Sequence, residues 1–370
     1  MNPLKTAAKK ILRALNRDWE IYVMDYLYIR RLNRRPPELQ WKSARPGPCA
    51  RLDAGGARIG SRLYVFGGFD NFVRVIKFLD IYDFDADRWV ARHDLPAGMA
   101  QSHLGVIGDG ERFIYIVSGQ YGNQCRPPIK SCFVYDTQTG VFQSLPPLPE
   151  ARYAPTVQLW RGRLHAVGGS KEDRNTPSTD HWSIAVDNGR AVETAWRREP
   201  AVPRGGPHRG SAVAGDALYV FGGQEGDYIA IPGDPDFTCT GDLTNEVVYA
   251  DTYRLGQGKK SWQRMADMPV KVSHVEFASL VMGPFVVVAG GMDNKDPRTK
   301  EVTVTDVIQM YDTRADTWRV AGHLPYCLKA TIAAHYKGQF YVTTGQRNKD
   351  VGNMRADSFD LRVWRAAFSV

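Results

Sequence analysis

Short apolar runs that end in a glycine doublet, or in the remnant of one, recur six times along the chain. Each run holds four mostly apolar residues before the doublet, which is typical of a strand and too short for a helix. The closing glycines are separated by 51, 50, 54, 68 and 54 residues, a period that unrelated hairpins would not keep. The six runs are LYVFGG (63–68), IYIVSG (114–119), LHAVGG (164–169), LYVFGG (218–223), VVVAGG (286–291) and FYVTTG (340–345).

A second apolar run and a closing aromatic follow each doublet. The second run is clearest in IYDFDADRW (81–89), VYDTQTGVF (134–142) and MYDTRADTW (310–318). We expect the doublet to end a second strand in a turn with positive φ. The aromatics then fall on the third and fourth strands, where they would fill the gap between neighbouring sheets. The closing aromatics are Trp89, Phe142, Trp196, Trp262, Trp318 and Trp364.

This repeating unit is a four-stranded sheet that cannot bury both of its faces alone. Six copies therefore predict sheets that pack radially and close a ring, and a period of about 50 residues is the signature of the kelch repeat. The predicted fold is all-β: a six-bladed kelch-type β-propeller over residues 41–370, with a short amphipathic helical arm at residues 1–40. Trp41 suggests an outer strand that fastens the last blade, a role for which Trp364 competes.

The basic charge of the chain belongs to that arm. Lys and Arg outnumber Asp and Glu by nine to four in residues 1–40, but only by 39 to 36 afterwards. The propeller is therefore nearly neutral, and no nucleic-acid partner is expected. Apolar and aromatic residues recur in the arm at three- and four-residue steps opposite a basic face, which predicts an amphipathic helix. We expect this helix to bind an anionic membrane surface; packing on the propeller or on a partner is the alternative.

Composition and motifs argue against several other classes of protein. The five cysteines are widely spaced and contain no CxxC pair, so we expect neither a zinc site nor a disulfide framework. The sequence holds no run of eighteen apolar residues and no continuous apolar core of a signal peptide, which leaves its compartment open. Phosphate-binding and nucleophile-elbow motifs do not occur. An acidic insertion at 224–246 matches no EF-hand spacing and predicts a solvated lid.

Blades three to six carry further motifs that the kelch repeat itself does not require. They are ARYAPTVQLWRGRLHAVGGSKEDR (151–174), DHWSIAV (180–186), RGGPHRG (204–210), GGQEGD (222–227), SHVE (273–276), HLPY (323–326) and TTGQR (343–347). In these motifs the chain resembles the plant kelch repeat-containing proteins of the galactose oxidase/kelch superfamily. The resemblance implies a propeller but no established activity. The copper ligands of galactose oxidase find no matching positions, and the Glu-x3-Asp-x3-His run of iron-binding kelch proteins does not occur. We therefore expect no metal and no cofactor.

Propeller topology brings two sets of polar residues to one face. The start of each first strand and the loop after each doublet must ring the same end of the central channel. The strand-one starts offer His103, Arg152, Tyr153, His208, Arg209, His274, Glu276 and Lys329. The positions after the doublets offer Gln120, Tyr121, Lys171, Gln224, Glu225, Gln346 and Arg347, with Asp70 and Asp293. We interpret this collection as a candidate ligand-binding site.

Two interpretations of the collection compete: a solvated channel whose groups pair with one another, and a pocket for a small polar ligand. Arginine forks suit carboxylate or phosphate groups, and glutamine and histidine suit sugar hydroxyls. The density of cations on blades three, four and six favours the pocket. The sequence thus predicts a binding module for an anionic or sugar-like ligand, or for a partner bearing one.

Two alternatives remain open for the function. One is a cofactor-independent sugar-modifying enzyme, such as one that interconverts the anomers of a sialic-type sugar, with His274 and Glu276 as the candidate acid–base pair. The other is a protein–protein interaction scaffold, for which we would expect a more apolar rim than this one.

Overall fold

Six antiparallel sheets follow one another along the chain. The computed structural model describes residues 39–71, 74–124, 126–231, 246–350 and 353–370. The predicted arm and its membrane contact lie almost entirely outside the described residues, so both stay predictions. Among the residues that are described, no helix is long and apolar enough to cross a membrane.

The strands of each blade run from the channel outwards. Strand β1 (Lys42–Ala44) precedes blade one. Blade one contains β2 (Gly55–Ile59), β3 (Arg62–Phe66), β4 (Phe78–Asp83) and β5 (Arg88–Asp94). Blade two contains β6 (Gly105–Gly108), β7 (Phe113–Val117), β8 (Cys132–Asp136) and β9 (Val141–Leu145). Blade three contains β10 (Thr156–Trp160), β11 (Arg163–Val167), β12 (His181–Asp187), β13 (Arg190–Ala191) and β14 (Arg197–Arg198).

The last three blades carry insertions after their doublets. Blade four contains β15 (Gly210–Ala214), β16 (Ala217–Phe221), the inserted pair β17 (Gln224–Glu225) and β18 (Val247–Val248), β19 (Thr252–Gly256) and β20 (Gln263–Met265). Blade five contains β21 (Ser279–Met282), β22 (Phe285–Ala289), the inserted pair β23 (Met292–Lys295) and β24 (Val302–Val304), β25 (Val307–Asp312) and β26 (Thr317–His323). Blade six is preceded by β27 (Leu328–Lys329) and contains β28 (Ile332–Tyr336), β29 (Gln339–Thr343), the inserted pair β30 (Gln346–Asp350) and β31 (Asn353–Phe359), and β32 (Val363–Ala367).

The N-terminal strand closes the ring. Strand β1 pairs antiparallel with β32, with Ser43 opposite Trp364, and so becomes the outermost strand of blade six. The Trp41 indole nitrogen donates to the carbonyl of His323 at 2.8 Å, which ties this strand to blade five. Trp364 lies on the third strand rather than the fourth. Of the two competing tryptophans, Trp41 therefore marks the outer strand.

Both residues of every doublet adopt positive φ, as the sequence predicted. A side chain would not fit at Gly67, because its Cβ would lie 1.9 Å from the carbonyl oxygen of Gln101. Ser118 and Thr344 hold the same conformation where glycine is missing. The φ values are 55° and 90° at Gly67 and Gly68, 53° and 109° at Ser118 and Gly119, 67° and 77° at Gly168 and Gly169, 58° and 92° at Gly222 and Gly223, 66° and 117° at Gly290 and Gly291, and 64° and 103° at Thr344 and Gly345.

The apolar core is divided into clusters that lie between adjacent blades. The cluster between blades one and two, for example, joins Phe66 to Tyr135, and the cluster between blades six and one joins Tyr341 to Tyr82. Tyr82 and Tyr135 occupy the Tyr-Asp positions of their third strands, as expected. Equivalent clusters fill the remaining four gaps. Radial burial between sheets therefore stabilises the ring.

Inserted strands of blades five and six join into a separate sheet at the doublet end of the propeller. Its order is β23-β24-β31-β30-β27, and the two inserted pairs meet where Thr303 lies opposite Arg355. This five-stranded sheet lies over one side of the channel mouth and forms part of the cavity described next.

Candidate functional site

One residue at the entry to each first strand adopts the left-handed conformation. We call these six residues the entry ring: Asp53, His103, Ala154, His208, His274 and Ala330, with φ between 45° and 61°. Four of the six amides donate to the carbonyl of the ring residue one blade earlier, as from Ala154 to His103 and from Ala330 to His274, both at 3.0 Å. Aspartate and histidine tolerate this conformation better than most side chains. The backbone geometry of the repeat therefore gathers four ionisable side chains at one end of the channel.

A cavity of about 280 Å³ lies between the entry ring and the five-stranded sheet. Phe277, just before blade five's first strand, packs against the apolar clusters on both sides of blade one. It also lines a separate space of about 170 Å³ between the first strands. The polar side chains that line the cavity of about 280 Å³ include Asp53, His103, Tyr153, Arg174, Asp227, Glu246, His274, Lys329 and Gln346.

His208 is the centre of a buried ion network beside the cavity. Its Nδ1 lies 2.6 Å from a carboxylate oxygen of Glu276, and its Nε2 lies 3.1 Å from one of Asp227. Burial alone would lower the pKa of His208, but the two carboxylates outweigh it and raise that pKa to about 10. His208 is therefore an imidazolium at neutral pH.

His274 stacks on His208 and stays neutral. The two ring centroids are 3.7 Å apart and the planes are inclined by 9°. Burial, followed by repulsion from His208 and Lys329, lowers the pKa of His274 well below its ordinary value. Ser273 donates to Gln224 at 2.7 Å and lies 3.0 Å from Nδ1 of His274. The serine oxygen must then accept from Nδ1–H, which leaves Nε2 of His274 as a hydrogen-bond acceptor.

A second buried pair joins the first two blades across the ring. Nε2 of His103 lies 3.0 Å from a carboxylate oxygen of Asp53, and its ring packs on Tyr153 with centroids 4.3 Å apart. Burial lowers the pKa of His103. Burial also opposes ionisation of Asp53, but attraction to His103, His208 and Lys329 lowers its pKa on balance. The pair is therefore an aspartate that accepts from a neutral imidazole.

Arg174 is a buried cavity cation with few partners. Its side chain is 1% exposed, and Nη2 donates to the hydroxyl of Tyr153 at 2.7 Å. The nearest carboxylate, that of Asp227, is 3.9 Å away. In the described part of the chain, Nε and Nη1 find no hydrogen-bond partner. Since buried guanidinium nitrogens are normally satisfied, this side chain has capacity for a further acceptor.

The structure brings some of the predicted site residues together and keeps others apart. His103, Tyr153, His274, Lys329 and Gln346 line the cavity. His208, Glu276 and Gln224 adjoin it through the bonds described above. Gln120 is buried against its own loop and donates to the carbonyls of Gly122 and Asn123. Tyr121, Lys171 and Glu225 are exposed, and Arg347, half-buried, donates to the carbonyl of Asn348. None of these last five lines the cavity.

Arg152 and Arg209 do not reach the cavity. Arg152 is bound to Asp180 at 2.5 Å and to Glu150 at 2.8 Å, and Arg209 is bound to Asp251. Both guanidinium groups are buried beside third strands, because each points outwards along its blade from the start of the first strand. The expectation that they belong to the pocket is corrected by this geometry.

Three important cavity residues were missing from the predicted set. Asp53 could have been found, because it holds the blade-one position that His103 holds in blade two. Arg174 lies farther along a doublet loop, beyond the positions that topology assigns. Asp227 belongs to the insertion that the sequence predicted to be a solvated lid, yet it is 5% exposed and bound to His208.

Metal ligation finds no support in the described residues. Within them, no group of three or more His, Cys, Asp or Glu side chains is arranged to hold an ion. Glu246, the other described acid of the insertion that lines the cavity, is bound to Lys295 at 2.6 Å. Of the three cysteines that the structure describes, Cys49 and Cys132 are free thiols, and the thiol of Cys327 donates to the sulfur of Met354 at 3.3 Å.

Comparison with known proteins places the chain among kelch sequences. No family model matches it. A kelch repeat-containing protein of Arabidopsis thaliana is 41% identical over 329 residues, which cover 89% of this chain and 76% of the relative. A kelch-like protein of Aspergillus terreus is 22% identical over 308 residues, covering 80% of this chain and 61% of the relative. The solved structure of YjhT matches with a TM-score of 0.62 at 13% identity, over 85% of this chain and 95% of that one.

Proposed function

Because this chain belongs to the family of kelch repeat-containing proteins, we propose that its propeller is a binding module whose cavity holds a small anionic, hydroxyl-rich ligand. The kelch propeller itself supports a binding role. The finer proposal concerns the chemistry of the ligand. It applies equally to a free sugar acid and to such a group carried by a partner.

The single observation that carries this proposal is the incomplete hydrogen bonding of Arg174. Two of its buried nitrogens, Nε and Nη1, have no partner among the described residues, and an anionic oxygen could accept a charge-assisted hydrogen bond from either of them. Lys329 lines the same cavity, and no described carboxylate lies within ion-pair distance of its Nζ. His208, by contrast, is already neutralised by Glu276 and Asp227. Arg174 and Lys329 are therefore the cavity cations that we expect to receive an anionic group.

The other side chains of the cavity favour hydroxyl groups. Neutral His274 offers an acceptor at Nε2, Asp53 offers carboxylate oxygens, and Gln346 offers an amide. These groups are the usual partners of sugar hydroxyls. With a volume of about 280 Å³ the cavity suits a monosaccharide rather than a long chain.

A binding panel tests the proposal. Uronic, sialic-type and phosphorylated sugars are each compared with the matching neutral sugar by thermal shift and calorimetry. We expect an acidic sugar to raise the melting temperature and its neutral counterpart to have little effect. Lys329→Met should weaken this binding, whereas Lys271→Met, at an exposed lysine outside the cavity, should not. Equal binding of neutral and acidic sugars, or no binding of either, would contradict the proposal.

A cofactor-independent sugar-modifying activity is a second candidate. The observation that favours it is neutral His274, which lines the cavity and keeps Nε2 as a proton acceptor beside the protonated His208. Anomer exchange of a bound sugar can be followed by proton NMR. A rate that His274→Gln does not change would reject His274 as the base.

A further inference from the structure

A second concave site lies at the opposite end of the propeller, between blades three and four. Connections in an antiparallel sheet alternate ends, so the β10–β11 and β19–β20 turns lie away from the doublets. Together with residues 197–200 they enclose a groove of about 510 Å³, which we call the basic groove. It shares no lining residue with the cavity at the other end.

The repeat loses an acidic residue on both walls of this groove. The residue that pairs with the first residue of strand two is Asp83, Asp136 or Asp312 in blades one, two and five. Its carboxylate caps the following turn, as where Asp83 accepts from the amides at positions 85 and 86. In blades three and four this position is Ala185 and Gly256. On the blade-three wall Glu193 supplies a carboxylate instead, accepting from the amide of Ala185 at 2.9 Å and pairing with Arg163 at 2.7 Å. The blade-four turn has no such replacement among the described residues.

Cations gather where the acids are missing. Lys259 and Lys260 are exposed, and no described carboxylate lies within ion-pair distance of either. Arg161 is also exposed, 3.6 Å from Asp216. Blade six lacks the turn acid as well, at Ala367, but the nearby Lys337 is bound to Asp85 at 2.7 Å. The basic groove thus holds two exposed lysines without matching carboxylates among the described residues, whereas its Arg163 and Arg197 are paired with Glu193 and Glu199.

Part of the groove lining is apolar. Trp160 and Leu255 line it from blades three and four, and Pro200 lines it from the crossing segment. The Trp160 indole nitrogen already donates to Asp216 at 3.3 Å, so the tryptophan presents carbon atoms. A ligand for this groove needs carboxylates beside apolar groups.

We propose that the basic groove binds an acidic, partly apolar segment of a partner protein. Its carboxylates would pair with Lys259, Lys260 and Arg161, and an apolar side chain would contact Trp160. A concave site that lies between two neighbouring blades suits an extended peptide. A membrane surface would need a convex or flat patch, and a nucleic acid would need a longer basic stripe.

Fluorescence anisotropy of a labelled peptide of alternating glutamate and leucine tests the proposal on the whole protein. Wild-type protein should bind it, and the double variant Lys259→Glu/Lys260→Glu should bind at least about tenfold more weakly, because two attractions become repulsions. The control is Lys77→Glu/Lys271→Glu, which makes the same change of charge at exposed lysines elsewhere. It should keep wild-type affinity.

Three outcomes would overturn the proposal. One is equal weakening in both double variants, which would mean that only net charge matters. The second is no binding by the wild type. The third is that phosphatidylserine vesicles or a single-stranded oligonucleotide bind through Lys259 and Lys260 while the peptide does not.

Discussion

Two buried arginines of this propeller, Arg51 and Arg174, differ in how many hydrogen-bond acceptors surround them. Arg51 is 1% exposed in blade one, bound to Asp80 and donating to the carbonyl of Gly67 at 2.7 Å. Arg174 is equally buried, yet it has one hydrogen bond to Tyr153 and two nitrogens without a partner in the described chain. The two arginines therefore have the same burial and the same charge. What differs is whether the protein supplies the acceptors itself.

The first type of arginine recurs. In blades one, three and four a carboxylate joins one buried and one exposed arginine: Arg51–Asp80–Arg92, Arg152–Asp180–Arg198 and Arg209–Asp251–Arg204. Such triads fix a third strand against the start of a first strand. The cavity set, with Arg174 and Lys329, forms no such triad among the described residues. Among the described residues, Arg152 and Arg209 leave only Nε without a partner, whereas Arg174 leaves Nε and Nη1. The number of acceptors that the protein supplies therefore separates the buried cations of the triads from Arg174.

The largest effect should follow from breaking a triad at its buried arginine. Arg51→Met should lower the free energy of unfolding by about 3 kcal/mol, the lower end for a broken buried ion pair, since Arg92 still reaches Asp80. Urea denaturation measures this. Arg92→Met is the matched control on the same carboxylate; because Arg92 is half-exposed, its loss should stay within about 1 kcal/mol. Equal effects of the two variants would remove the distinction between the buried and the exposed partner.

The ion network of His208 should make stability depend on pH. Its pKa is raised from 6.5 to about 10 in the folded protein. The stabilisation is then fully present below the pKa of the unfolded histidine. It is lost as pH rises through the raised pKa of the folded protein, by up to about 1.4 kcal/mol per pH unit. The titratable side chains that face the imidazole of His208 are those of His103, His274, Glu276 and Asp227.

The free energy of unfolding is measured for the wild type and for His208→Gln, from neutral pH up to the raised pKa of His208. The quantity of interest is the wild-type value minus that of the variant. This difference should shrink as pH rises. A difference that does not change with pH would show that His208 is neutral in the fold.

A smaller effect should follow from hydrogen-bond saturation at the first position of the doublet. Ser118 and Thr344 both replace the first glycine of a doublet at positive φ. The Ser118 hydroxyl donates to the carbonyl of Ile129 at 2.6 Å and accepts from the amide of Arg152 at 2.8 Å. The Thr344 hydroxyl has no partner among the described residues.

Ser118→Gly should therefore cost about 1–2 kcal/mol more than Thr344→Gly in the free energy of unfolding. Chemical denaturation of the two variants in parallel gives this difference. If Thr344→Gly is the more destabilising change, hydrogen-bond saturation is not what distinguishes the two positions.

The blades could be predicted from sequence because each copy meets the same local demands. Positive φ at Gly67 and Gly68 leaves the same mark in every unit. Burial of Tyr82 between sheets recurs at Tyr135 and Tyr311. The closure could not be assigned in the same way. Strand β1 reaches blade six from the other end of the chain, so no local pattern distinguishes Trp41 from Trp364 as the marker of the outer strand.

The site was only partly predictable for a related reason. Topology fixes where first strands start, so His103 and His274 could be assigned to one cavity. It does not fix which way a long side chain turns. Arg152 finds Asp180 in its own blade, whereas Arg174 reaches the cavity from a loop, and tertiary contacts alone separate the two.

The most direct test of the cavity proposal is calorimetric titration of Arg174→Met with the acidic sugar that the wild type binds best. Arg319→Met, at an exposed arginine, is the control. We predict affinity at least about tenfold weaker in Arg174→Met, for loss of a charge-assisted hydrogen bond. Its free energy of unfolding should change by less than about 1 kcal/mol, because the variant also removes two unsatisfied donors. Unchanged affinity, or a loss of stability as large as that of Arg51→Met, would contradict the claim that Arg174 is kept for a ligand.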